Sequence, residues 1–199
     1  MFTSLRNKLV AVVLFFAGCT GVKKPSPPVV EPVTTDTVAL MIDTPANKKP
    51  PPLIATAIIE TGTTTPAEVV QFAKTLIGTP YLYASTDPAK GFDCSGFITY
   101  VFNHFNIAVP RSSVDFTNMG KEIEYRQAGT GDLILFTGTD STIRIVGHMG
   151  IVVNNNNDSL QFIHSTSGKA KGVVITPFGN YYESRFVKVI RVFPDRFFE

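Results

Sequence analysis

Val69, Val70, Phe72, Ala73, Leu76 and Ile77 recur at the spacing of one helical face. Thr65-Pro66-Ala67-Glu68 precedes them with the form of a capping box, Pro66 taking the first helical position, and Gly78 supplies a stop. A second stripe of Phe97, Ile98, Val101, Phe102 and Phe105 predicts a helix over 94–105, with Asp93 as its N-cap. A shorter helix is expected over 113–119, ended by Gly120. After Gly129 the pattern changes to strands, at 133–137, 148–153, 160–165, 173–176 and 186–193. The polar run 154–158 reads as a turn joining two of them. Three helices and then about five strands predict an α+β domain over 64–199, its N-terminal helices packed on an antiparallel sheet.

The chain before this domain reads differently. Residues 1–18 have the build of an export signal: Arg6 and Lys8 at the start, a short apolar stretch, then Ala17-Gly18 before Cys19. That stretch is too short for a permanent membrane span. Phe16-Ala17-Gly18-Cys19 resembles a bacterial lipobox, with Phe16 where Leu is usual, and implies lipidation of Cys19; an ordinary leader with a leftover cysteine is the alternative. Residues 19–63 carry eight of the chain's 14 prolines and no helical period, as expected of an extended tether. A weak strand pattern at 53–59 interrupts it. The expected location is the bacterial cell envelope, with the lipid in the outer membrane on its periplasmic face.

Composition narrows the function. A hydrophobic fraction of 44% supports a real core, and a net charge of +2 with no basic run argues against nucleic acid. With Cys19 lipidated, Cys94 is left as a free thiol in an oxidising compartment, which points to chemistry. At the start of a helix, unsatisfied amides and the dipole favour its thiolate. Of the three histidines, His104 lies late in the same helix and is expected to have no catalytic role. His148 and His164 fall on strands that pair through the Asn-rich turn, so their imidazoles are expected to approach. A cysteine at a helix start facing a histidine on a sheet is the layout of papain-like hydrolases. In that layout His148 takes the thiol proton and His164 fixes its tautomer. Zinc accepts the same donors, but neither a His-Glu-x-x-His pattern nor paired cysteines are present, so no metal or other cofactor is expected.

Gly78-Thr79-Pro80-Tyr81, Phe92-Asp93-Cys94-Ser95-Gly96-Phe97, Val109-Pro110-Arg111-Ser112-Ser113 and Gly131-Asp132-Leu133 with His148-Met149-Gly150-Ile151 complete the pattern. Together with Phe162-Ile163-His164-Ser165, they make the chain from about Pro66 to Phe193 resemble the NlpC-type cell-wall cysteine peptidases. The resemblance implies a papain-like fold and hydrolysis of amide bonds in peptidoglycan stem peptides. It implies Cys94 as nucleophile, His148 as base and His164 as orienter, with Tyr81, Asp93, Ser95 and Arg111 shaping substrate binding. Two departures stand out: Ala84-Ser85 where Gly-Gly commonly follows the Tyr, and Phe116 where Gln is frequent. The loop 137–145 is longer than its strand pair requires and is expected to rim the cleft.

The expected function is therefore a lipid-anchored endopeptidase cutting the γ-D-glutamyl–diamino acid bond. A carboxylate and hydroxyls beside the nucleophile suit the free amine of the stem's first residue. Cleavage of the D,D cross-link, a related papain-like amidase or acyltransferase, and a non-catalytic wall-binding module are the alternatives.

Overall fold

The computed structural model describes residues 57–156 and 159–199. The expected leader, Cys19 and the tether up to residue 56 lie outside the described residues. Helix α1, Pro66–Thr75, begins as its sequence demands: the Thr65 side chain accepts from the Glu68 N–H while Glu68 accepts from the Thr65 N–H at 2.8 Å. Strands β1, Thr86–Asp87, and β2, Gly91–Phe92, form a small antiparallel pair that leads the chain into α2, Cys94–His104. Asp93 caps α2, accepting from the Gly96 N–H at 2.6 Å. The segment expected as a third helix is a 3₁₀ helix, Ser113–Asn118, without a side-chain cap and held by the fully buried Phe116.

Six strands form the main sheet: β3 Lys121–Ile123, β4 Leu133–Thr137, β5 Val146–Asn156, β6 Ser159–Thr166, β7 Gly172–Pro177 and β8 Phe186–Arg191. Their order is β3-β8-β4-β5-β6-β7, and every pairing is antiparallel. The five expected strands are present, and β3 joins them. Three residues long and mostly polar, β3 has no readable pattern and is recruited by pairing with β8. Asn154, Asn155 and Asn156, expected as turn, extend β5 instead: Asn154 donates to Gln161 Oε1 at 2.9 Å, and the Asn155 amide donates to three carbonyls of the 125–128 segment. Ladder and side-chain bonds together override their turn preference. A short helix α3, Asn180–Glu183, precedes β8.

Both faces of the sheet are covered. On one, Leu135, Met149, Ile151 and Ile163 pack against Val69, Ala73, Phe97, Val101 and Phe102 of the two long helices. On the other, Phe136, Val152, Phe162 and Val189 gather beneath Tyr182, Phe178 and Phe186. A strand buried on both faces reads as a continuous apolar run, as β4 does. The folded region also takes in residues before 64: Ile59 and Thr61 are buried, and Ala57 bridges Met119. The weak strand pattern at 53–59 fixes no boundary by itself, so that boundary is set by tertiary contact.

Candidate active site

Cys94 sits at the first position of α2, delivered there by the Phe92-Asp93 step. The Ser165 hydroxyl donates to the Phe92 carbonyl at 2.7 Å and ties this step to β6. The thiol donates to the Gly147 carbonyl, 3.9 Å away. Burial pushes the thiol pKa up, and the Asp93 carboxylate adds to that. The backbone N–H groups of Ser95 and Cys94 and the Arg111 charge oppose the rise without reversing it. This corrects the expectation of a thiolate from the helix start: dipole and amides are present, but desolvation outweighs them.

Gly147 is also where β5 departs from regular pairing. Phe136 faces His148 while Thr137 faces Val146, so Gly147 is the extra residue of a β-bulge. The bulge turns His148 onto the sheet face that carries Phe136 and His164. The two imidazoles meet there, His148 Nε2 to His164 Nδ1 at 2.8 Å, and His164 Nε2 lies 2.9 Å from Thr176 Oγ1. Burial lowers both pKa values, His164 to about 3, with the nearby Arg185 charge adding to the effect on each. Both rings are therefore neutral. No hydrogen bond joins Cys94 to His148 among the described residues; His148 Nδ1 is the ring nitrogen without a partner. For that nitrogen to hold a lone pair, His148 Nε2–H must donate to His164, and His164 Nε2–H must donate to the Thr176 hydroxyl. Thr176 belongs to no motif, and nothing in the sequence signalled it.

The other expected residues assemble around Asp93. Arg111 binds its carboxylate in two-pronged fashion, at 3.0 Å to Oδ1 and 2.5 Å to Oδ2, and also donates to Ser95 Oγ at 3.0 Å. Tyr81 has its hydroxyl pKa raised, first by burial and then by the nearby Cys94 and Asp93 groups. All five residues, with Gly147 and Ala84, border a cleft of about 480 Å³. His148 borders a different cleft of about 620 Å³, so the Gly147-His148 step contributes one residue to each. Thr139, from the long 137–145 loop, borders the second cleft. His104 stacks on Phe72 with centroids 3.6 Å apart and serves packing. A larger cleft of about 740 Å³, around residues 58–62 and 191–196, contains neither cysteine nor histidine.

The arrangement provides a thiol against the Gly147 carbonyl, a hydrogen-bonded imidazole pair that begins at the next residue, and helix-start amides beside the sulfur. Among the described residues no three His, Cys, Asp or Glu side chains group as a metal site.

Comparison with known proteins places this geometry in context. Residues 78–191 match the NlpC/P60 family. The chain is 31% identical over 146 residues to the gamma-DL-glutamyl hydrolase of Bacillus subtilis, covering 72% of this chain and 34% of that protein. It is 37% identical over 105 residues to the murein DD-endopeptidase MepS/murein LD-carboxypeptidase of Escherichia coli, covering 52% and 50% respectively. It thus spans a third to a half of the length of these relatives. Among solved structures, an NlpC/P60 family protein from Bacillus cereus superposes with a TM-score of 0.59 at 26% identity, covering 68% of this chain and 42% of the other.

Proposed function

The chain belongs to the NlpC/P60 family, and from that premise we propose that it is a peptidoglycan endopeptidase. It hydrolyses an amide bond of the stem peptide, the γ-D-glutamyl–diamino acid bond, by a Cys-His-His thiol mechanism. The observation that carries this reading is the placement of Cys94 Sγ on the Gly147 carbonyl, one residue before the His148 that bonds His164.

Cys94 passes its proton to His148 Nδ1 as the sulfur attacks the scissile carbonyl carbon. The carbonyl oxygen gains negative charge and is met by the Cys94 and Ser95 amides, the first donors of α2. When the C–N bond breaks, the leaving amine takes the proton from His148 and a thioester remains on Cys94. Water then loses a proton to His148 and attacks that thioester, releasing the carboxylate and restoring the thiol. The raised thiol pKa and neutral imidazole mean that proton transfer accompanies substrate engagement and does not precede it. His164 and Thr176 hold the tautomer that this requires.

Relatives named as a gamma-DL-glutamyl hydrolase and as a bifunctional muramidase/DL-endopeptidase support this choice of bond. Asp93, Ser95 and Tyr81 form the polar end of the nucleophile's cleft and receive the amine of the stem's first residue. One observation favours the second reading, D,D cross-link cleavage. Arg111 already neutralises Asp93, leaving one lone pair of Oδ2 for an ammonium. The relative named as a DD-endopeptidase accords with this.

Digestion of a free tetrapeptide, its N-acetylated form and a cross-linked dimer, with products identified by mass, separates the two. Preference for the free amine supports the first, and the dimer cut first supports the second. A Cys94→Ala variant that still cleaves, or a wild type inert on all three and toward thiol-directed probes, removes the mechanism and leaves a binding module. The proposal includes the lipid at Cys19, which lies outside the described residues. Cys19→Ser is expected to move the protein from membranes to the soluble fraction; unchanged fractionation would refute the anchor.

A further inference from the structure

The cleft bordered by His148 contains an unusual cation. Arg185 is 6% exposed, and among the described residues no carboxylate approaches it. Its three hydrogen bonds go to uncharged acceptors: the Gly138 carbonyl at 2.8 Å, the Thr137 carbonyl at 2.9 Å and the Tyr181 hydroxyl at 2.7 Å. The rings of Tyr181 and Tyr182 lie 5.0 and 5.7 Å from the guanidinium carbon. A charge withdrawn from water is costly unless an opposite charge meets it. These contacts spread the charge but do not cancel it, and two of the five N–H donors stay uncommitted.

A second cation, Lys169, lines the same cleft, and among the described residues it has no ion-pair partner and no acidic side chain borders the cleft. Thr139 and Thr166 add hydroxyls to its wall. The volume of about 620 Å³ is ample for a dipeptide. The nucleophile borders one cleft and the base the other. A substrate with its carbonyl on Cys94 and its leaving nitrogen at His148 therefore extends its leaving portion toward Arg185 and Lys169.

We propose that this cleft is the leaving-group subsite and that Arg185 and Lys169 bind a free carboxylate on the released peptide. The inference rests on the endopeptidase reading for the identity of that peptide, and it makes the enzyme selective for stems whose leaving fragment is anionic. A carboxylate seated here also offsets the Arg185 charge that opposes protonation of His148. The correct substrate thereby eases formation of the imidazolium its own cleavage needs.

Two measurements on the full chain test this. In the first, the Cys94→Ala variant is titrated with the dipeptide of diaminopimelate and D-alanine and with the same dipeptide amidated at its free carboxyl groups. The carboxylate form is expected to bind at least about 10-fold more tightly, and adding Lys169→Gln should remove most of that difference. In the second, the Cys94-containing chain cleaves tetrapeptides with free or amidated leaving fragments, and Lys169→Gln should raise KM for the free form only. Arg185→Lys, checked for folding by its melting curve, should retain part of the discrimination. Equal binding of the two dipeptides, or equal loss on both substrates in Lys169→Gln, would overturn the subsite. Carboxylate-dependent dipeptide binding without cleavage of any stem peptide would keep the subsite and overturn the endopeptidase reading. Cleavage without carboxylate-dependent binding would do the reverse.

Discussion

Ala84 carries a φ of +58°, in the left-handed region where a Cβ is unfavourable. It borders the Cys94 cleft. The backbone thus keeps a glycine-type conformation without the glycine, because Ser85 must aim its carbonyl at the Asp93 N–H, 3.1 Å away. Ala84→Gly is expected to raise stability by roughly 0.5–1 kcal/mol, the relief of strain exceeding glycine's added chain entropy. Chemical denaturation checks it; an unchanged or lower midpoint would show that Ala84 is unstrained. Cys94 yields a second prediction at this scale. Desolvation of the half-buried thiol, with the Asp93 carboxylate beside it, holds its pKa above the ordinary 9.0. Alkylation of Cys94 should therefore keep accelerating as pH rises through 9. A plateau below pH 8 would mean a stabilised thiolate and contradict the desolvation argument.

The element that organises the site is β5, through its bulge. A Cβ on Gly147 would meet the Gly138 backbone at 2.8 Å, so the bulge requires glycine there for want of space. Gly147→Ala must push β5 from β4, which moves both the carbonyl beside Cys94 and the ring of His148. The expected result is a stability loss of about 1–3 kcal/mol and a fall in kcat/KM of at least about tenfold. Wild-type kinetics in this variant would show that the bulge does not set the site. Helix α2 contributes by a different route: its cap residue also holds Arg111, so one carboxylate ends the loop, starts the helix and shapes the cleft.

At the scale of the whole molecule, two buried neutral histidines couple stability to pH. His164 has its pKa depressed from the ordinary 6.5 to about 3, and His148 is also well below 6.5. A depressed histidine binds fewer protons folded than unfolded between its two pKa values. Its stabilisation is thus complete above about 6.5 and is lost as pH falls toward 3. The slope reaches at most about 1.4 kcal/mol per pH unit for each ring. Denaturation followed from pH 7 to 4 should show this decline, and His164→Asn should flatten it. Equal slopes in the two proteins would mean that His164 is already charged in the fold.

What the sequence by itself determined is local. Capping at Thr65 and Asp93, the 3.6-residue stripes of α1 and α2, and the apolar runs of β4 to β8 depend on neighbours a few residues away. They were enough to give the α+β class, the helices ahead of the antiparallel sheet, and Cys94 at a helix start. The motif residues Tyr81, Asp93, Ser95, Arg111, His148 and His164 were likewise legible as positions. Their partnerships were decided by tertiary structure. Register brings Gly147 to a cysteine 53 residues earlier, and a bulge selects the face on which His148 meets His164 and Thr176. Desolvation then raises the Cys94 thiol against its helix dipole, and the packing buries Arg185 with no counter-charge among the described residues. Burial and register are sums over residues distant in the chain, so no periodicity or motif encodes them at one place.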